Sequence, residues 1–159
     1  MEELGKHEQF IRAAIARFMA TLERDPADGL TGLRELALAL DNLVAVYFRT
    51  EEVHPVGEAC PPAKEYPEFY RRASKAFPEL GYYPCVYPGD DPSEEKASLA
   101  DATDHLADIA GDLVEVLWHF DNSTPEEAIW DYRFGYQHHW GDHLHSLRNY
   151  LHSSRIAAW

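Results

Sequence analysis

The stretch LADATDHLADIAGDLVEVLWHF, residues 99–120, decides how this chain folds. Its apolar residues Leu99, Leu106, Ile109, Leu113, Val116, Leu117 and Phe120 recur at helical intervals, so a helix of 3.6 residues per turn gathers them on one side. Ser93, with acids directly after it, offers a cap, and the spacing predicts one long helix from there to about Phe120. The same rotation stacks Asp104, Asp108 and Asp112 within an arc of roughly 80° on the opposite face.

Working outward, Asp121-Asn122-Ser123 breaks the helix, and Thr124-Pro125-Glu126-Glu127 starts another. A hydroxyl cap, a proline at the first helical position and acids at the positive helix end all favour that start, and the pattern carries the last helix to about His152. Upstream, Leu4, Phe10, Ile11, Ala14, Ile15, Phe18 and Leu22 predict an amphipathic helix between Glu3 and Glu23. Asp25-Pro26 ends it and opens a second helix to about Arg49, with Leu33, Leu36, Leu40, Leu43, Val44 and Tyr47 as its core stripe. Prolines and glycine make Thr50 to Pro62 a loop, and a short helix follows from Lys64 to Ala76. Residues 80–88 are aromatic but interrupted by Pro84 and Pro88, which predicts an extended crossing with no strand pair. The expectation is one all-α domain over residues 1–159: a helical bundle of four longer helices and a short one, with an extended Pro- and aromatic-rich connection.

A chain of 159 residues can bury a sizeable core without covalent staples. Cys60 and Cys85 have no ligand-like spacing and read as free thiols of a reducing compartment. The first residues lack a basic region followed by an apolar run, and no stretch nears the ~18 apolar residues of a membrane span, which places the protein in the cytoplasm. Net charge is −14, and between Asp90 and Asp131 thirteen acids face a single base, Lys96. Such a field repels phosphate backbones and anionic lipid, so nucleic acid and membranes are excluded as partners while a basic protein or a cation remains admissible.

Three stacked carboxylates need compensation, from water and salt, from a neighbouring helix or from a metal ion. If the last two helices pack side by side and antiparallel, facing positions sum to roughly 245–247 by the helical register, which pairs Asp112 with Arg133, Asp108 with His139 and Asp104 with His143. Against this, a stripe facing away from the apolar side of its own helix usually faces solvent, and that reading leads. A structural Asp–His–Arg network is the second reading, and a metal or catalytic site the third. His139 and His143, four residues apart, can point the same way, and with Asp104 or Asp108 they would suit zinc or ferrous iron with an open position for water. Five of the nine histidines lie between His138 and His152, which raises the odds of accidental alignment.

Trp130 and Trp140 read as core anchors, and Gly141 after Trp140 indicates a close approach of a neighbouring helix or ring. A nucleophile elbow, a Gly-rich phosphate loop and a cysteine-enzyme signature are all missing from the sequence, which removes those enzyme classes.

Ser98-Leu99-Ala100-Asp101, Asp104-His105-Leu106-Ala107-Asp108-Ile109 with Asp112-Leu113, Trp130-Asp131-Tyr132-Arg133-Phe134 and His139-Trp140-Gly141-Asp142-His143 together resemble a bacterial all-helical family known as domain of unknown function 5063. Tyr83, Val86-Tyr87-Pro88 and the Leu43 to Tyr47 stretch are similar too, so the likeness spans about residues 33–152. The resemblance implies a helical fold and directs attention to Asp104, Asp108, Asp112, Arg133, His139 and His143, which with Trp140 make up the candidate polar cluster, but brings no activity, substrate or cofactor. His105 and Ala110-Gly111 stand where that family commonly has a further acid and a Tyr-Arg pair. The leading functional expectation is a non-enzymatic module without a cofactor whose acidic face binds a basic protein. The alternative is a metal-binding protein or metal-dependent hydrolase built on His139, His143, Asp104 and Asp108.

Overall fold

The computed structural model describes residues 2–55, 57, 59–89, 91, 93 and 97–155. Six α-helices make up most of it: α1 (Glu2–Thr21), α2 (Gly29–Tyr47), α3 (Tyr66–Ala76), α4 (Ala102–Asn122), α5 (Pro125–His138) and α6 (Trp140–Tyr150). The all-α expectation holds. No described helix is long and apolar enough to cross a membrane.

The apolar stripe of α1 is buried at Ile11, Ala14, Ile15, Phe18 and Leu22, and packs against Leu33, Leu36, Leu40 and Leu43 of α2. Between them Asp25 accepts a hydrogen bond from the Ala27 amide, and Pro26 starts a single 3₁₀ turn, Pro26–Asp28, that redirects the chain. Gly29 follows at φ +53°, a value that favours glycine, and α2 begins there rather than at Pro26. α3 turns Phe69, Ala73 and Ala76 onto α4, and Lys64 and Glu65 remain in the preceding loop.

The segment before α4 departs from the sequence expectation. Residues 82–85 do form a strand, β1 (Tyr82–Cys85), which pairs antiparallel with β2 (Ser98–Asp101), Tyr82 opposite Asp101 and Cys85 opposite Ser98. Pro84 is tolerated because a two-stranded ribbon leaves free edges where a missing N–H is not felt, and Tyr83 and Cys85 point inward. Since β2 holds residues 98–101 extended, α4 begins at Ala102, capped by the Asp101 side chain on the Thr103 amide at 2.9 Å, and not at Ser93. Leu99 is consequently exposed, outside the apolar stripe it matched by spacing.

The last helix is not continuous. His139, at φ −148° and ψ −85°, interrupts it, and α6 restarts at Trp140. The cause lies in two glycines around a fully buried tryptophan. Gly135 lets the Trp140 ring lie against α5, where an added Cβ would stand 2.6 Å from Cδ1. At Gly141 an added Cβ would lie 2.0 Å from the Tyr136 carbonyl oxygen. The close approach expected at Gly141 is therefore real, and its partner is the last turn of the preceding helix. Trp140 is a core anchor as expected; Trp130 is only partly buried and stacks on Phe134.

α4 is the central rod, meeting α1, α3, α5 and α6. Elements pack on more than its apolar side, so Thr103, His105, Asp112 and His119 are buried along with Leu106, Ile109 and Leu113. That enclosure creates the site.

Candidate functional site

Asp112 is 8% exposed, and Asp104 and Asp108 are half-buried. The stripe therefore does not face solvent. It is covered by the loop before α3, by α3 itself and by α6, which amphipathicity of α4 alone did not reveal.

His139 donates from Nδ1 to Asp112 Oδ2 at 2.5 Å. The other Asp112 oxygen accepts from the Lys64 ammonium, which also pairs with Glu115 at 3.1 Å. One turn away along α4, His143 Nε2 lies 3.6 Å from Asp108 Oδ2 and 3.4 Å from His139 Nε2. One ligand atom from each of Asp108, His139 and His143 lies within 4.8 Å of the others. Asp104 instead accepts from the Tyr66 hydroxyl on α3.

The facing pairs thus sum to 251, not 245–247, because the interruption at His139 shifts α6 along α4 relative to a continuous helix. Asp112 meets His139 and Asp108 meets His143, while Asp104 meets neither histidine in a hydrogen bond. Arg133 is not in the cluster. Its guanidinium donates to the Tyr47 carbonyl at 3.1 Å and the Thr50 carbonyl at 2.5 Å and stacks 4.6 Å over the Tyr47 ring, so it caps the end of α2. Trp140 is not in the cluster either: it is fully buried against Tyr132 and Tyr136, and its Nε1 makes no hydrogen bond to any described residue.

The electrostatics suit neutral imidazole ligands. Burial lowers the His143 pKa against the pull of Asp108, and burial also raises Asp108, with the neighbouring Asp104 and Asp112 charges adding to the rise. Because the His139 Nδ1 proton is committed to Asp112, its Nε2 lone pair faces His143. Behind His143 lies His105, 4.6 Å away ring to ring, its own pKa held down to about 4 chiefly by burial and its Nδ1 paired with the Tyr83 hydroxyl at 2.7 Å.

The sequence reading missed Lys64, Tyr66, His105 and Tyr83. Lys64 and Tyr66 lie 48 and 38 residues from the acids they engage, across a loop whose path no local pattern encodes.

Residues 11–157 match the model of the family described as Domain of unknown function (DUF5063). The chain belongs to that family. Among solved structures, the chain is similar to protein BF1032 from Bacteroides fragilis, a structural genomics target, with a TM-score of 0.72 over 92% of this chain and 90% of that one at 19% identity. At that identity the likeness establishes the helical architecture and nothing about chemistry. Among curated proteins nothing matches. The DUF5063 assignment bears out the resemblance carried by the Asp104–Asp112 and His139–His143 strings, and extends it beyond residues 33–152.

Proposed function

We propose that this protein binds a divalent transition-metal ion through Asp108, His139 and His143, leaving a coordination position open to water or to a ligand. The observation that carries the reading is the 3.4 Å spacing of the two histidine Nε2 atoms. Nitrogens bound to one tetrahedral ion at about 2.0–2.1 Å lie about 3.3 Å apart. The 3.6 Å from His143 to Asp108 is close to the same edge, and the remaining edge, within 4.8 Å, closes with a carboxylate movement of up to about 1.5 Å. Asp112 is placed as a metal-bound histidine's carboxylate partner is, fixing the tautomer and orientation of His139.

Two imidazoles and one carboxylate suit zinc or ferrous iron, and an ion with an open position can activate water for hydrolysis. A basic protein partner on an acidic face is less well supported. Of the acids between residues 90 and 131, only Asp91 and Asp121 are exposed among the described residues, and Asp121 pairs with Arg12.

Metal analysis of protein purified without an affinity tag, followed by titration of chelator-treated protein with zinc, ferrous iron and manganese, tests the reading. One ion per chain is expected, abolished in the His139→Ala/His143→Ala double variant with helicity retained. No stoichiometric metal and no thermal shift on adding any of the three would overturn it.

A further inference from the structure

The two histidines of the proposed metal site are supported unequally. His139 gives its Nδ1 proton to Asp112. A histidine that binds a metal through Nε2 carries its remaining proton on Nδ1, and that proton ordinarily meets a carboxylate, a carbonyl or water. His143 turns Nε2 toward Asp108 and His139, while its Nδ1 is buried and has no partner among the described residues. Ligation by His143 therefore leaves a buried donor that requires an acceptor.

Behind His143 stands His105, with the ring centroids 4.6 Å apart and 52° between the planes. His105 is 4% exposed, and its Nδ1 lies 2.7 Å from the Tyr83 hydroxyl. Tyr83 is fixed in turn by stacking on Tyr150, with centroids 4.4 Å apart. Since Nδ1 is committed to Tyr83, Nε2 is the nitrogen that His105 has left to offer. A tyrosine hydroxyl both donates and accepts, and Ser146 adjoins this one as a further partner. With its proton on Nδ1, directed at Tyr83, His105 presents a lone pair at Nε2. The opposite tautomer would set one N–H against another.

We propose that His105 is the positioning residue of the second ligand: its Nε2 accepts the Nδ1 proton of His143, and its own Nδ1 proton goes to Tyr83. This rests on the metal reading of Asp108, His139 and His143. No hydrogen bond joins the two rings as they stand, so the contact forms as His143 turns to its ligand position. The outer partners then differ in kind, a carboxylate behind His139 and an imidazole behind His143. An imidazole there supplies an acceptor without adding another negative charge beside Asp108.

Long-range ¹H–¹⁵N correlation spectra of the zinc-loaded full-length protein read the protonated nitrogen of each histidine ring. His143 should bind through Nε2 and carry its proton on Nδ1, and His105 should be protonated on Nδ1 and bare on Nε2. A proton on His105 Nε2 overturns the proposal, as does His143 bound through Nδ1. Two variants give an independent measurement. Glutamine sets its amide oxygen near the place of Nε2 and asparagine near that of Nδ1, so zinc affinity should stay within about threefold of wild type in His105→Gln and fall about 10–100-fold in His105→Asn. Equal affinities in the two variants, whether lowered together or unchanged, would make His105 a packing residue only. Wild-type protein that takes up no zinc removes the metal reading and this one with it, whereas bound zinc with the wrong tautomer, or with equal affinities in the two variants, removes this one alone.

Discussion

The hydrogen bond from His139 Nδ1 to Asp112 Oδ2, at 2.5 Å, joins the residue that interrupts the last helix to a carboxylate buried on the central one. His139 itself is largely exposed, with 51% of its side chain accessible, so this bond is what holds the ring with Nε2 toward His143. Asp112→Ala should therefore weaken zinc binding by about 10–100-fold, the usual effect of removing a ligand's carboxylate partner. Calorimetric titration measures it. An unchanged Kd would show that His139 needs no orienting partner, or that it does not bind metal.

Removing Arg133 separates the cluster from its surroundings. Because Arg133 holds the Tyr47 and Thr50 carbonyls at the end of α2, Arg133→Ala should cost about 1–3 kcal/mol in denaturant unfolding while leaving metal affinity as it was. Had Arg133 clasped Asp112, as a continuous last helix required, metal affinity would fall with stability.

What local pattern encodes, the sequence made legible: the stripe of α1, the Asp25-Pro26 boundary, the start at Thr124 and the depth of Trp140 all follow from spacing and capping chemistry. The errors are non-local. Ser93 and the acids after it look like a helix start, and only pairing with Tyr82–Cys85 moves that start to Asp101. Leu99 fits the apolar period of α4 although a strand holds it outside. Spacing alone pairs the histidines one step out, because Gly141 signals a close approach without saying that the helix breaks to achieve it. Lys64 and Tyr66 reach their acids only through the tertiary path of a loop.

That break yields its own prediction. Gly141→Ala sets a Cβ 2.0 Å from a backbone oxygen that cannot rotate away, so α6 must shift along α4. A loss of about 2–4 kcal/mol and of metal binding together should result, read by chemical unfolding and titration. Gly5→Ala in α1, where an added Cβ meets nothing within 4 Å, should instead stabilise by about 0.5–1 kcal/mol.

Asp131 should make the protein more stable in mild acid than at neutrality. Its pKa is about 6 in the fold against 3.8 for the free side chain, so between those values the native state binds more protons than the unfolded one. Stability contributed by the protonated carboxyl is then complete below about pH 4 and is lost as pH rises through about 6. At 1.36 kcal/mol per pH unit the full shift is worth about 3 kcal/mol, which partial contact with solvent reduces to about 1–2 kcal/mol. Asp131→Asn removes the titration, and should raise stability at pH 7 by that amount while changing little at pH 4. Urea unfolding of both proteins at the two pH values measures the difference directly. Equal effects of the substitution at pH 4 and pH 7 would mean that Asp131 ionises as freely in the fold as in the unfolded chain, and that Glu115 and Asp112 exert no repulsion on it.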